Sequence, residues 1–126
     1  MKTILWTTAT VLAIVLMSMG MNMHLMRTAL ELSGQLELVQ QAVLAERWAD
    51  AEFNFQQATE KWEQTRSVWA VVIRHQEIDE LEVAFARISQ FLSTREQGET
   101  LAELEVAKVL LEHVPAKERL LLQNIM

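Results

Sequence analysis

The chain has no cysteine and no tyrosine, and only one proline and three glycines in 126 residues. Without cysteine there are no disulfides, thiolate nucleophiles or zinc–thiolate centres, and no lipid attachment at a cysteine. So few breakers, in a chain rich in Leu, Ala, Glu, Gln and Val, point to an all-α protein. Net positive charge is lacking too: from Arg27 onward lie all 17 acidic residues but only 10 of the 11 basic ones. A surface of that sign repels phosphate backbones, which speaks against nucleic acid as a partner. No Gly-rich phosphate loop, nucleophile elbow, His-Glu-x-x-His pair or catalytic triad occurs. No catalytic residue and no cofactor is therefore expected.

What is present begins with a run free of charge. After Met1-Lys2, residues 3–23 carry none. As a helix they extend roughly 31 Å at about 1.5 Å per residue, the thickness of a bilayer's hydrocarbon core. A cleaved signal peptide would have a shorter apolar core and a small-residue cleavage site, for which Ser18-Met19-Gly20 offers a weak match. The apolar run continues through Met21, Met23, Leu25 and Met26 with no polar segment before Arg27, so an uncleaved signal-anchor is the reading taken. Lys2 and the amino terminus on one side, against Arg27 on the other, favour a cytoplasmic N-terminus. The expected organisation is a membrane anchor over 1–26 and an extracytoplasmic helical domain over 27–126, in the cell membrane.

The domain is organised around one stripe. Trp48, Phe55, Trp62 and Trp69 recur every seven residues, and Ala51, Ala58, Thr65 and Val72 follow each by three. On a helix this is one face alternating large rings with smaller residues. A second stripe, Ile78, Leu81, Phe85, Ile88 and Leu92, keeps the same 3–4 spacing. From Trp69 to Ile78 is nine residues, about half a turn out of phase at ~100° per residue. A turn is therefore expected around Arg74-His75-Gln76, although no Gly or Pro marks it. Gly34 is a possible kink, and Gly98 a plausible C′ residue ending the second stripe. Thr100 has Glu103 three positions on, a capping-box spacing, ahead of a helix carrying Leu101, Leu104, Ala107, Leu111 and Val114. Pro115 suits the first turn of a further helix, whose Leu120, Leu121, Leu122 and Ile125 would dock on the stripe. The expected fold is one N-terminal transmembrane helix followed by a small antiparallel bundle of three to four helices.

The stretch Trp62-Glu-Gln-Thr-Arg66-Ser-Val-Trp69, the segment His75-Gln-Glu77-Ile78-Asp79, Pro115-Ala-Lys117-Glu118-Arg119 and the late Asn124-Ile125 together resemble a bacterial family of short proteins catalogued as a domain of unknown function. The resemblance covers nearly the whole chain. It implies a small, helical, membrane-anchored protein of spore-forming Gram-positive type, and no activity.

Three groups of residues could carry chemistry. His75, Asp79 and Glu82 share a helical face at offsets of four and seven, and could hold a divalent metal or form a base with an orienting carboxylate. The bland alternative is a helix start with solvated first-turn carboxylates, which the turn expected at His75 favours. Met19, Met23 and Met26 could offer thioethers to Cu(I), or simply be flexible apolar residues of a membrane helix. Arg66 stands four residues after Trp62 and three before Trp69, where it could form a cation–π pocket or cover the edge of an aromatic core. A metal is not expected at any of them, and Trp48, Phe55, Trp62, Trp69 and Pro115 are read as structural. The expected partners are the bilayer, through residues 3–23, and either another protein or a second copy joined through the aromatic stripe. The function that fits is a non-enzymatic interaction or accessory module. A metal-binding or catalytic accessory and an oligomer-forming scaffold are the alternatives.

Overall fold

In all four helices the apolar residues fall at alternating steps of three and four. On α1 (Lys2–Leu44) the buried positions are Leu25, Ala29, Leu32, Leu36, Val39 and Val43. On α2 (Trp48–Val72) they are Ala51, Phe55, Ala58, Trp62, Thr65 and Trp69, and on α3 (His75–Ser93) Ile78, Leu81, Phe85, Ile88 and Leu92. On α4 (Gln97–Ile125) Thr100, Leu104, Ala107, Leu111 and Val114 continue the pattern. That spacing aligns a straight seam on each helix, so near-parallel helices can interdigitate along their length. The computed structural model describes residues 1–125, with side chains through Val114. It is an all-α bundle in which each helix packs on its neighbours in sequence and α4 closes against α1. Among the described residues there is no strand.

Cross-helix contacts set the register. Gln35 Nε2 on α1 donates to the Asn54 carbonyl on α2 at 3.1 Å, Lys61 pairs with Glu31, and Trp69 reaches Thr28. The chain positions climb on α2 as they fall on α1, so the two are antiparallel. At the opposite seam Lys108 Nζ lies 2.6 Å from Glu37 Oε2 and also bonds Gln40, while Gln97 Nε2 donates to the Val43 carbonyl at 3.1 Å. The turns after α1 and α3 therefore share one end of the bundle, and the α2–α3 turn occupies the other.

Helix α1 is the departure from the expected division of the chain. It runs unbroken for 43 residues, about 65 Å, through Gly34 and through the boundary drawn at residue 26. No residue of its most apolar 18-residue window is buried, and the window is long and apolar enough to cross a membrane. From Leu25, 1 % exposed, the same helix lines the core. A fragment starting at Gln35 would lack Leu25, Ala29 and Leu32, so the folding unit begins well before that glutamine.

The turns also correct the sequence reading. The break after Val72 falls at Ile73 and Arg74, both extended, with ψ of 148° and 138°; α3 then starts at His75, within a residue of the expected position. A second break, at Ala45-Glu46-Arg47, was not anticipated. There Arg47 N–H donates to the Ala42 carbonyl and Glu46 N–H to that of Val43, at 2.9 and 3.0 Å. This is a Schellman closure with Glu46 left-handed at φ 57°. The same closure ends α3: Glu96 N–H donates to Phe91 and Arg95 N–H to Leu92, with Arg95 at φ 55°. Arg95, not Gly98, is thus the C′ residue, and Gly98 lies in the first turn of α4. Nor does Thr100 cap a helix. It is fully buried inside α4, and its hydroxyl donates to the Glu96 carbonyl one turn back. Pro115 starts no new helix either: α4 continues through it to Ile125. The seam from Leu104 to Val114 has already set the path of α4, and a proline there forgoes one backbone bond without ending the helix. Docking of Leu120, Leu121, Leu122 and Ile125 on the stripe concerns side chains outside the described ones.

A left-handed backbone costs an ordinary residue roughly 1–2 kcal/mol that glycine avoids, partly offset by glycine's looser unfolded chain. Glu46→Gly and Arg95→Gly should each stabilise the bundle by about 0.5–1 kcal/mol, read as raised midpoints in thermal unfolding followed by helical circular dichroism.

Candidate functional site

The aromatic stripe is the inside of the protein. Phe55, Trp62 and Trp69 are 8, 3 and 0 % exposed, with Trp48 half-buried at the distal end. Phe85 on α3 bridges them: its ring centroid lies 5.8 Å from those of both Phe55 and Trp62, and Trp62 meets Trp69 edge to face at 5.6 Å. The small residues between the rings, Ala51, Ala58 and Thr65, are buried as well. Within one chain Phe55, Trp62 and Trp69 are covered by the fold, and only Trp48 stays partly open.

The polar end of the stripe is anchored on α1. Trp69 Nε1 donates to Thr28 Oγ1 at 3.0 Å, and that hydroxyl donates to the carbonyls of His24 and Leu25 at 2.9 and 3.0 Å. A buried indole N–H needs such a partner. Trp62 Nε1, equally shielded, has no hydrogen-bond partner among the described residues.

Arg66 is exposed and turned away from both tryptophans. Its Nε lies 2.9 Å from Glu82 Oε1, an ion pair joining α2 to α3 across a partly open surface. Arg66 and Glu82 are thus partners of each other across the two helices. His75 and Asp79 are exposed on the first turns of α3. Among the described residues no group of three His, Asp or Glu could hold a metal. Met19 and Met23 face outward on the bare part of α1, 59 and 68 % exposed.

The outer side of α3 and α4 holds a feature that heptad reading passes over. An open groove of about 640 Å³ runs between them, with Val83, Val106 and Leu110 along its floor. Val83 and Val106 are 50 and 46 % exposed. Asp79 and Glu80 line it toward the start of α3, and Arg87, 3.6 Å from Glu103, lines it toward the α3–α4 turn. Apolar residues outside the 3–4 seam, at 83, 106 and 109, were the available sequence signal. The groove offers apolar area beside carboxylates.

On the α1–α2 seam the ammonium of Lys61, bonded to Glu31, holds the Glu31 carboxyl below its ordinary value. A carboxyl depressed by folding adds stability above its unfolded pKa and loses it as pH falls through the lowered folded value. Lys61→Met should move the Glu31 titration back up toward the ordinary carboxylate range, as followed by carbon-detected NMR. In the core, Trp62→Ala should cost roughly 3–5 kcal/mol. Thr28→Val, which leaves the Trp69 N–H buried and unpaired, should cost roughly 1–3 kcal/mol. Unchanged melting temperatures would contradict the packing described.

The model of one protein family, described as Domain of unknown function (DUF4363), matches residues 19–125. No curated protein and no solved structure matches the chain.

Proposed function

For this chain, which belongs to the DUF4363 family, we propose the role of a single-pass, membrane-tethered helical module that binds a protein partner at the outer face of the cytoplasmic membrane and performs no catalysis. The observation that carries the reading is the division of α1. Its first part is bare, apolar and long enough to span a bilayer, and its second part is a core helix of the bundle. Exposing that much apolar surface to water is costly at about 25 cal/mol per Å², and a bilayer removes the cost. The cation at Lys2 supports a cytoplasmic amino terminus.

The binding face that fits is the α3–α4 groove. Its apolar floor and the carboxylates of Asp79 and Glu80 suit an amphipathic helix flanked by lysine or arginine. Asp79 then lines the docking face, and His75 stands exposed at the start of the same helix.

The tether is tested by fractionation. The full chain should stay with the membrane pellet through alkaline carbonate. A form beginning at Met21, which keeps every buried α1 residue from Leu25 onward, should be soluble and melt cooperatively. Release of the full chain by carbonate would sink the proposal.

A further inference from the structure

The distance between the bare part of α1 and the bundle is short enough to dictate what the bundle touches. The charge-free run ends at Met23, and Leu25 is already in the core. Two residues of helix are about 3 Å, with no loop, glycine or proline between them. If residues 3–23 span the bilayer, no linker holds the bundle off its surface. This inference therefore rests on the membrane tether proposed above.

The antiparallel register says which end meets the lipid. Reading along the α1–α2 seam, the pairs Gln35–Asn54, Glu31–Lys61 and Thr28–Trp69 approach the bare part of α1. The next step brings the α2–α3 turn level with Leu25. Leading into it, the last turn of α2 carries Val71, at 83 % the most exposed large apolar side chain of the bundle among the described residues, and the turn itself brings exposed Arg74 and His75. Beside it on α1 stand His24 and Arg27, both exposed. Among the described residues neither Arg27 nor Arg74 takes part in an ion pair that joins the helices, although Arg27 lies near enough to Glu31 to help lower its carboxyl. The carboxylates nearest the turn are the half-buried Glu77, and Asp79 and Glu80 further along α3. The opposite end carries Glu46, Asp50, Glu52, Glu96 and Glu99 against Arg47 and Arg95, and Arg47 is paired with Asp50, so its net charge is negative. Arg27 and Arg74 thus stand exposed at the end of the bundle nearest the bare part of α1, with an exposed valine beside them.

We propose that the α2–α3 turn is a second membrane contact, with Arg27 and Arg74 on phospholipid phosphates and Val71 inserted among the headgroups, so that the bundle is seated upright on the leaflet from which α1 emerges. A basic residue beside an apolar one is the chemistry of interfacial contact. With α1 it forms two points of attachment, and these restrict the tilt of the bundle and hold the α3–α4 groove at a set height above the lipid.

The absence of cysteine makes the test clean, since each single-cysteine variant carries one label. The full chain is reconstituted in vesicles of phosphatidylcholine and phosphatidylglycerol with a polarity-sensitive fluorophore at Leu12→Cys, Val71→Cys or Asp50→Cys. Lipids spin-labelled at the headgroup or deep in the acyl chain act as quenchers. The expected result is deep quenching at position 12, headgroup quenching at 71 several-fold stronger than at 50, and loss of that excess in Arg27→Glu/Arg74→Glu with helicity intact. Deep quenching at 12 with equal, weak headgroup quenching at 71 and 50 would overturn the seat and leave the tether standing. No deep quenching at 12 would remove the tether and the seat together. An excess at 71 that survives the double charge reversal would overturn the role of the arginines.

Discussion

Burial of one heptad-spaced face along α1 is the constraint on which the rest of the structure depends. From Leu25 to Val43 that face gives α2 and α4 a common wall, and α3 is reached only through them. The Trp69–Thr28 hydrogen bond fixes α2 against this wall at one height, and the Lys108 contacts with Glu37 and Gln40 fix α4 at another. Both contacts are directional and sit at the edge of an otherwise nondirectional apolar seam, so they select one register from those a 3–4 pattern allows.

Since that wall is continuous with the bare part of α1, the apolar segment and the bundle form one mechanical unit. A flexible linker would have uncoupled them; an unbroken helix does not. Anything that tilts or rotates the first part of α1 is felt by the core at Leu25 and by the Thr28–Trp69 bond one turn later. This gives the proposed tether a consequence that a loose anchor would lack: the groove on α3 and α4 has a defined orientation relative to α1.

The site residues suggested by their types alone were mostly absorbed by the scaffold. Arg66 and Glu82 found each other across α2 and α3, because residues at offsets that face one another on a single helix also face the neighbouring helix. The tryptophans that could have formed an open aromatic surface are core because α1 and Phe85 cover them. The surface that remained, Val83 with Val106 and Leu110, drew no notice in the sequence, since isolated apolar residues outside a seam are ordinary and only the packing of α3 on α4 makes them contiguous.

Helix content, the bare apolar lead, the two central stripes and the break before His75 were legible because they depend on periodicity and phase, which are properties of local sequence. The break at Ala45-Glu46-Arg47 left a fainter trace. The step from Val43 to Trp48 is five residues, out of phase with the 3–4 pattern on both sides, yet no glycine marks it. Glu46 and Arg95 adopt left-handed conformations that their side chains disfavour, because helix packing on either side compensates for the local strain. Likewise Thr100 has the look of a cap and Pro115 that of a start, and tertiary contacts carried the helix through both. Sequence by itself determined which face of each segment is apolar. Tertiary structure decided where the chain reverses, which polar residues pair, and that α1 is lead and core at once. Those outcomes turn on contacts between residues tens of positions apart, whose free energy exceeds the local preferences that a sequence displays.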